Sequence, residues 1–365
     1  MFSIAARSGR YDAAPMRWLV RSAGLLLAAS FGFVLTAEAV RPHVPIPDGD
    51  ALAARFEHLA QSETRYDVVV IGQSTVLRAF DPDEFDREAA AQGHELRSFN
   101  LGVPGAFQFE IDYLLEQLVE RLARPPRFVF VELPTRRLDE LLPPVNHFTD
   151  RAVYWHAPRQ TRAWFRSVAR SSHPERGATR RLDVLQHAAW RWASVGQADR
   201  TTGHALSLGA AERAAEVREV ERTRGYRPFR LGPDTPHSDL RDQLIRSPRW
   251  FRGVVARIDD VNQGKPTHRV LDPAWVRLQS EKVRAGGATL VHFITPTIME
   301  TAELHTLHRA GVIPELFAFD SPHRFPELYR PKNRFDPIHL NEDGARLFSV
   351  ALARRFASWL DSVDG

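Results

Sequence analysis

Val68-Val69-Val70-Ile71 is an unbroken run of β-branched residues, entered from Tyr66-Asp67 and stopped by Gly72. A strand with one face in water alternates apolar and polar side chains. A run with no polar position needs cover on both faces, which a parallel sheet lined by helices supplies. Similar buried runs recur at Arg127 to Val131 and at Ala288 to Ile294, with shorter strands expected at Glu95 to Phe99 and Leu316 to Phe319. Helical spacing fills the intervals: Ala51 to Ser62, Asp83 to Gln92, Phe107 to Leu122, Pro273 to Arg284, Glu300 to Arg309 and Asn341 to Leu360. Strand and helix in alternation predict an α/β fold, a parallel sheet with helices on both faces.

The alternation is interrupted. Residues 139–268 are rich in Arg, Ala and Glu and poor in β-branched runs, with helical pieces at about 181–194, 208–222 and 237–259. Both ends of this region join the same sheet. It therefore reads as a helical insertion or cap rather than a second domain, dividing the α/β unit into 41–138 and 269–365. Residues 41–50 (RPHVPIPDGD) read as a linker.

The first forty residues carry an export signal. Arg7, Arg10, Arg17 and Arg21 precede an uncharged stretch, Ser22 to Ala37. Basic residues ahead of an apolar run direct the downstream chain out of the cytoplasm. Two forms of the segment, within residues 18–39, stay open. Ala37-Glu38-Ala39 fits a small-x-small cleavage site, whereas Trp18 to Val20 extend the apolar run toward an anchor if Arg21 snorkels.

Composition narrows the chemistry. There are no cysteines, which excludes disulfides, thiolate metal sites and a cysteine nucleophile. The 49 basic residues nearly balance 45 acidic ones and are scattered, so no nucleic-acid partner is expected. None of the 15 histidines falls in an H-E-x-x-H spacing, and neither a dinucleotide loop nor a P-loop is present, so neither a metal nor a nucleotide cofactor is expected.

Three fragments remain. Gly72-Gln73-Ser74-Thr75 follows the first strand, where ligands of open parallel sheets bind. A serine there presents its hydroxyl to a substrate; a phosphate loop or a plain helix cap is the alternative. Asn100-Leu101-Gly102-Val103-Pro104-Gly105 follows the second strand, and a glycine in it can offer an amide to an oxyanion. Asp336-Pro337-Ile338-His339 precedes the last helix. Its carboxylate can orient the imidazole, unless Asp336 only opens a turn and His339 is a surface residue.

In this order the three fragments resemble the SGNH/GDSL hydrolase superfamily, over about 66–135 and 270–360. The resemblance implies a flavodoxin-like three-layer sandwich with Ser74 as nucleophile, His339 as general base, Asp336 as its partner, and an oxyanion hole from the amides of Ser74 and Gly102. The chain departs from the family twice. It has Gly-Gln-Ser for Gly-Asp-Ser, and Val131-Glu132-Leu133-Pro134-Thr135 where the family places an oxyanion asparagine. Thr135, Arg136 or a residue of the insertion is the expected substitute.

The export segment together with a terminal Asp-Pro-x-His-Leu is similar to an extracytoplasmic branch active in alginate acetylation and teichoic-acid D-alanylation. This implies ester hydrolysis or acyl transfer on an acylated envelope glycan or a small acyl ester, beside a membrane-bound O-acyltransferase. The alternative is a glycan-binding or scaffold protein that keeps the fold without turnover. Asn100, Thr135, Arg136 and His156 are candidate substrate contacts. So is the polar-aromatic cluster Asn146 to Arg151, although Trp155 is expected to pack the insertion onto the sheet.

Overall fold

The computed structural model of the chain describes residues 14–40, 46–47, 51–63, 65–122, 124–137, 151, 154–169, 174–193, 201–203, 206, 209–231 and 239–364. Five strands form one parallel sheet: β1 (Val68–Gly72), β2 (Ser98–Gly102), β3 (Phe128–Glu132), β4 (Thr289–Ile294) and β5 (Leu316–Ala318), in the order β2-β1-β3-β4-β5. This is the flavodoxin-like order, whose ligand crevice opens where the chain reverses direction, between the carboxyl ends of β1 and β3.

The β1 run is buried on both sides because its alternate residues enter two different cores. Val69 and Ile71 pack with α2 (Leu52–Gln61) and α5 (Gln108–Arg121). Val68 and Val70 pack with α3 (Ser74–Ala79), α4 (Pro82–Ala91) and the C-terminal helix, Glu342–Asp364. The result is the three-layer sandwich expected from the strand pattern. Strand β2 lies further along the chain than its sequence suggested. Register with β1 pairs Val68 with Ser98 and Gly72 with Gly102, which draws Asn100, Leu101 and Gly102 into the strand.

Within residues 139–268 the regular elements among the described residues include the helices α6 (Pro158–Ala169), α7 (Pro174–Trp192), α8 (Ala210–Thr223), α9 (Asp239–Arg246) and α10 (Pro248–Gln263). The single helix expected at 237–259 is two, broken at Ser247-Pro248, because proline has no N–H to continue the ladder. Val220 of α8 enters the core shared with α2. The chain after α8 is then stapled to the sheet edge, where the Asn100 amide donates to the Arg224 carbonyl at 2.9 Å. It continues across α3, where the Arg227 amide reaches the Leu77 carbonyl at 3.2 Å.

The basic-then-apolar segment read as an export signal lies largely in α1 (Ala14–Val40), whose Leu25, Leu26, Leu27, Phe31 and Phe33 are exposed. Among the described residues no helix is long and apolar enough to cross a membrane. Arg7, Arg10 and most of the 41–50 linker lie outside the described residues.

Candidate active site

Ser74 is the first residue of α3, directly beyond β1. An N–H at a helix's first position has no partner within the helix. The hydroxyl lies 2.8 Å from His339 Nε2, although 265 residues separate the two in sequence. His339 Nδ1 in turn lies 2.8 Å from Asp336 Oδ2. A carboxylate only accepts, so Nδ1 donates to Asp336, which leaves Nε2 as the ring nitrogen that faces the serine hydroxyl. The structure brings together all three residues singled out in the sequence.

The Asp336–His339 turn is built to hold this geometry. The second carboxylate oxygen of Asp336 accepts from the amides of Ile338 and His339, both at 2.7 Å, around Pro337. Burial pushes the Asp336 carboxyl up. The hydrogen bonds and charge of His339 and the two amides outweigh that effect and hold it below its ordinary value. Beneath the turn, the fully buried Arg334 guanidinium donates to the carbonyls of Pro337 (3.1 Å) and Leu328 (3.0 Å), with longer contacts to Ile338 and Pro296. Desolvation lowers its pKa to about 10, against the opposing charges of Tyr329 and Asp336.

The remaining candidates separate. The Gly102 amide already donates to Asn100 Oδ1 at 2.8 Å, so it is not free for an oxyanion. This glycine has a packing reason: a Cβ there would sit 2.3 Å from the Leu77 amide nitrogen. Asn100 is fully buried, its amide group donating to the carbonyls of Val76 (3.0 Å) and Phe80 (2.7 Å), so it clamps α3 to β2 and touches no substrate. The other glycine of that block, Gly105, has a left-handed backbone (φ 63°). Its amide makes no hydrogen bond among the described residues. The next residue, Ala106, lines a cleft with Gln73, Phe107, Phe109, Arg136, Trp164 and Trp275.

Arg136 therefore stands in the cleft beside the Gln73–Ser74 turn, its guanidinium 5.7 Å from the centre of the Phe107 ring. Thr135 is half-buried just before it. His156 is not a rim residue. It is buried behind the cleft wall, with ring centroids 4.9 Å from Trp164, 5.6 Å from Phe109 and 4.6 Å from His187. Trp155 is fully buried against Tyr113 and Tyr154, as packing requires. Asn146 to Asp150 lie outside the described residues.

Two residues escaped the sequence reading. Glu132, the last residue of β3, is buried behind the nucleophile turn and accepts from the Gln73 amide at 2.7 Å, the Thr75 hydroxyl and the Thr295 hydroxyl at 2.6 Å. Phe229, in the stretch after α8, stacks on Phe335 at 4.0 Å and meets the His339 ring edge-on. Among the described residues no group of three or more His, Asp or Glu is placed to hold a metal ion. No protein-family model matches this chain, and no curated protein matches it in sequence.

Proposed function

We propose that the chain is an extracytoplasmic serine hydrolase or O-acyltransferase of SGNH/GDSL type, acting on acyl esters of an envelope glycan. The observation that carries this reading is the hydrogen-bonded series Ser74–His339–Asp336 at a parallel-sheet crevice. His339 takes the Ser74 proton as the serine oxygen attacks the ester carbonyl. The tetrahedral intermediate collapses, the C–O bond to the alcohol breaks, and His339 returns the proton to the departing oxygen. Water or a sugar hydroxyl then attacks the acyl-serine and loses its proton to His339; the C–O bond to Ser74 breaks, and His339 returns the proton to the serine oxygen. The Ser74 amide, and Gly105 in place of Gly102, are the donors assigned to the oxyanion.

The extracytoplasmic setting rests on the basic-then-apolar N-terminal segment, and a membrane-bound acyltransferase partner and the glycan rest on the family resemblance. Labelling of the full-length chain by a fluorophosphonate tests the catalytic reading. Labelling of the wild type that is lost in Ser74→Ala and His339→Ala is the expected result. Equal labelling of Ser74→Ala would overturn it.

The second reading, a glycan-binding protein without turnover, is favoured by one observation: β3 ends in Glu132 where an oxyanion asparagine was expected. A folded wild type that binds glycan but neither labels nor hydrolyses short acyl esters is its outcome.

A further inference from the structure

Glu132 occupies a position that stability alone does not explain. It ends an otherwise apolar strand, Phe128-Val129-Phe130-Val131, and is buried. No lysine or arginine forms an ion pair with it among the described residues. Burying a carboxylate without a cation costs stability unless every lone pair that faces protein is satisfied. Here the compensation comes from three donors. Two belong to Gln73 and Thr75, the residues immediately before and after Ser74; the third is Thr295, just beyond β4.

The glycine before the nucleophile turn answers to the same group. A Cβ on Gly72 would lie 2.2 Å from Val76 Cγ2, 2.6 Å from Glu132 Oε2 and 2.7 Å from Glu132 Cβ. Glycine at this position leaves room for both the Val76 and the Glu132 side chains beside the turn. Gly72, Glu132, Thr75 and Thr295 thus form one arrangement, spread over three strand ends and centred on the serine.

We propose that Glu132 is the positioning residue of the nucleophile, a buried carboxyl group that fixes Gln73 and Thr75 and so aims the Ser74 hydroxyl at His339. This assignment rests on the reading of Ser74 as nucleophile. It makes Glu132 a device for geometry at some cost to stability. Glutamine is the informative replacement: it keeps the shape but cannot carry the negative charge, and its NH2 end only donates, so the hydroxyls of Thr75 and Thr295 must turn from donors to acceptors.

The test measures fluorophosphonate labelling rates and thermal midpoints of the full-length chain. Glu132→Gln is expected to keep or raise the midpoint while labelling about a hundredfold more slowly, the scale of a misplaced reacting group. Thr75→Ser and Thr295→Ser retain the hydroxyl and should label within about twofold of wild type, whereas the valine variants lose about tenfold. Wild-type labelling in Glu132→Gln, or a loss matched by a fallen midpoint and not rescued by serine at 75 and 295, overturns the positioning role alone. Absence of labelling in the wild type overturns the catalytic reading and this assignment together.

Discussion

Phe229 meets His339 edge-on, with ring centroids 5.4 Å apart and planes at 80°. The same ring stacks on Phe335 and carries the Arg78 guanidinium 4.4 Å from its centre, while Arg78 also donates to the Arg227 carbonyl at 2.9 Å. A stretch that begins at the far edge of the sheet therefore ends as a wall of the imidazole's pocket. Phe229→Ala removes that wall and frees the ring to leave the line between Ser74 and Asp336. The expected result is a fall of about tenfold in kcat with the thermal midpoint nearly kept. Phe229→Leu should recover part of the loss. Esterase kinetics on short acyl esters check both.

Arg334 supports the same turn from below. Its donors go to backbone carbonyls, two of them in the Pro337-Ile338 span that carries His339. Arg334→Met orphans these carbonyls, at roughly 1–3 kcal/mol for each that water does not reach. Arg334→Lys keeps the charge but lacks the planar fork. Both variants should melt earlier than wild type, methionine more so, and both should label more slowly at temperatures where they remain folded. Calorimetry and labelling at two temperatures separate the effects.

The two active-site carboxyls oppose each other in pH. Asp336 is held below its ordinary value of 3.8, so it contributes stability above that pH and loses it as pH falls through its folded value. Burial raises Glu132 above its ordinary 4.5, against hydrogen bonds from Gln73, Thr295 and Thr75 and the charge of His339. The folded chain then holds that proton more tightly than the unfolded one, and stability declines as pH rises from 4.5 through the folded value. Asp336→Asn should therefore weaken the loss of stability on acidification below 3.8. Glu132→Gln should remove the decline above 4.5. Thermal midpoints measured from pH 3 to pH 8 decide both signs.

The fold was legible because its signals are local. Each buried run encodes a strand, and Pro, Gly and polar clusters punctuate the helices between them. The Ser74, Asp336 and His339 positions were legible for the same reason, since each sits where a strand ends or a helix begins. What failed depended on register or on distant chain. Asn100 and Gly102 read as loop residues facing a ligand, but pairing with β1 turned them into buried strand. Glu132 was noticed only as a missing asparagine; the usable signal was an acidic residue ending an apolar strand. Phe229 carried no signal, because 110 residues separate it from the ring it touches (229 and 339).

Gly102 gives a direct check on that correction. A Cβ there would press on the Leu77 backbone at 2.3 Å, and backbone in a packed helix yields little. Gly102→Ala should cost about 1–3 kcal/mol by overpacking. Because its amide serves Asn100, the loss should be in stability rather than turnover. Were Gly102 the oxyanion donor, the substitution would slow labelling with the midpoint unchanged. A stabilising second-site background keeps the variant folded for the kinetic half of the comparison.

On the proposed esterase reading, the cleft beside Gln73 is where the acyl chain of the ester would lie. Its floor is aromatic, with Phe109 and Trp164 stacked at 4.4 Å and Trp275 buried nearby. Phe107, half-buried with the Arg136 guanidinium 5.7 Å from its ring centre, lines the same cleft. A floor of large rings close to the nucleophile suits a short acyl chain, since each added methylene must displace packed atoms. Wild type should therefore favour acetyl over butyryl esters. Phe107→Ala widens the cleft without touching Ser74, His339 or Asp336, so the butyryl-to-acetyl ratio of kcat/KM should rise by about tenfold, within the range that one methylene group commands. An unchanged ratio would place the acyl chain elsewhere and leave this cleft to the alcohol side of the ester.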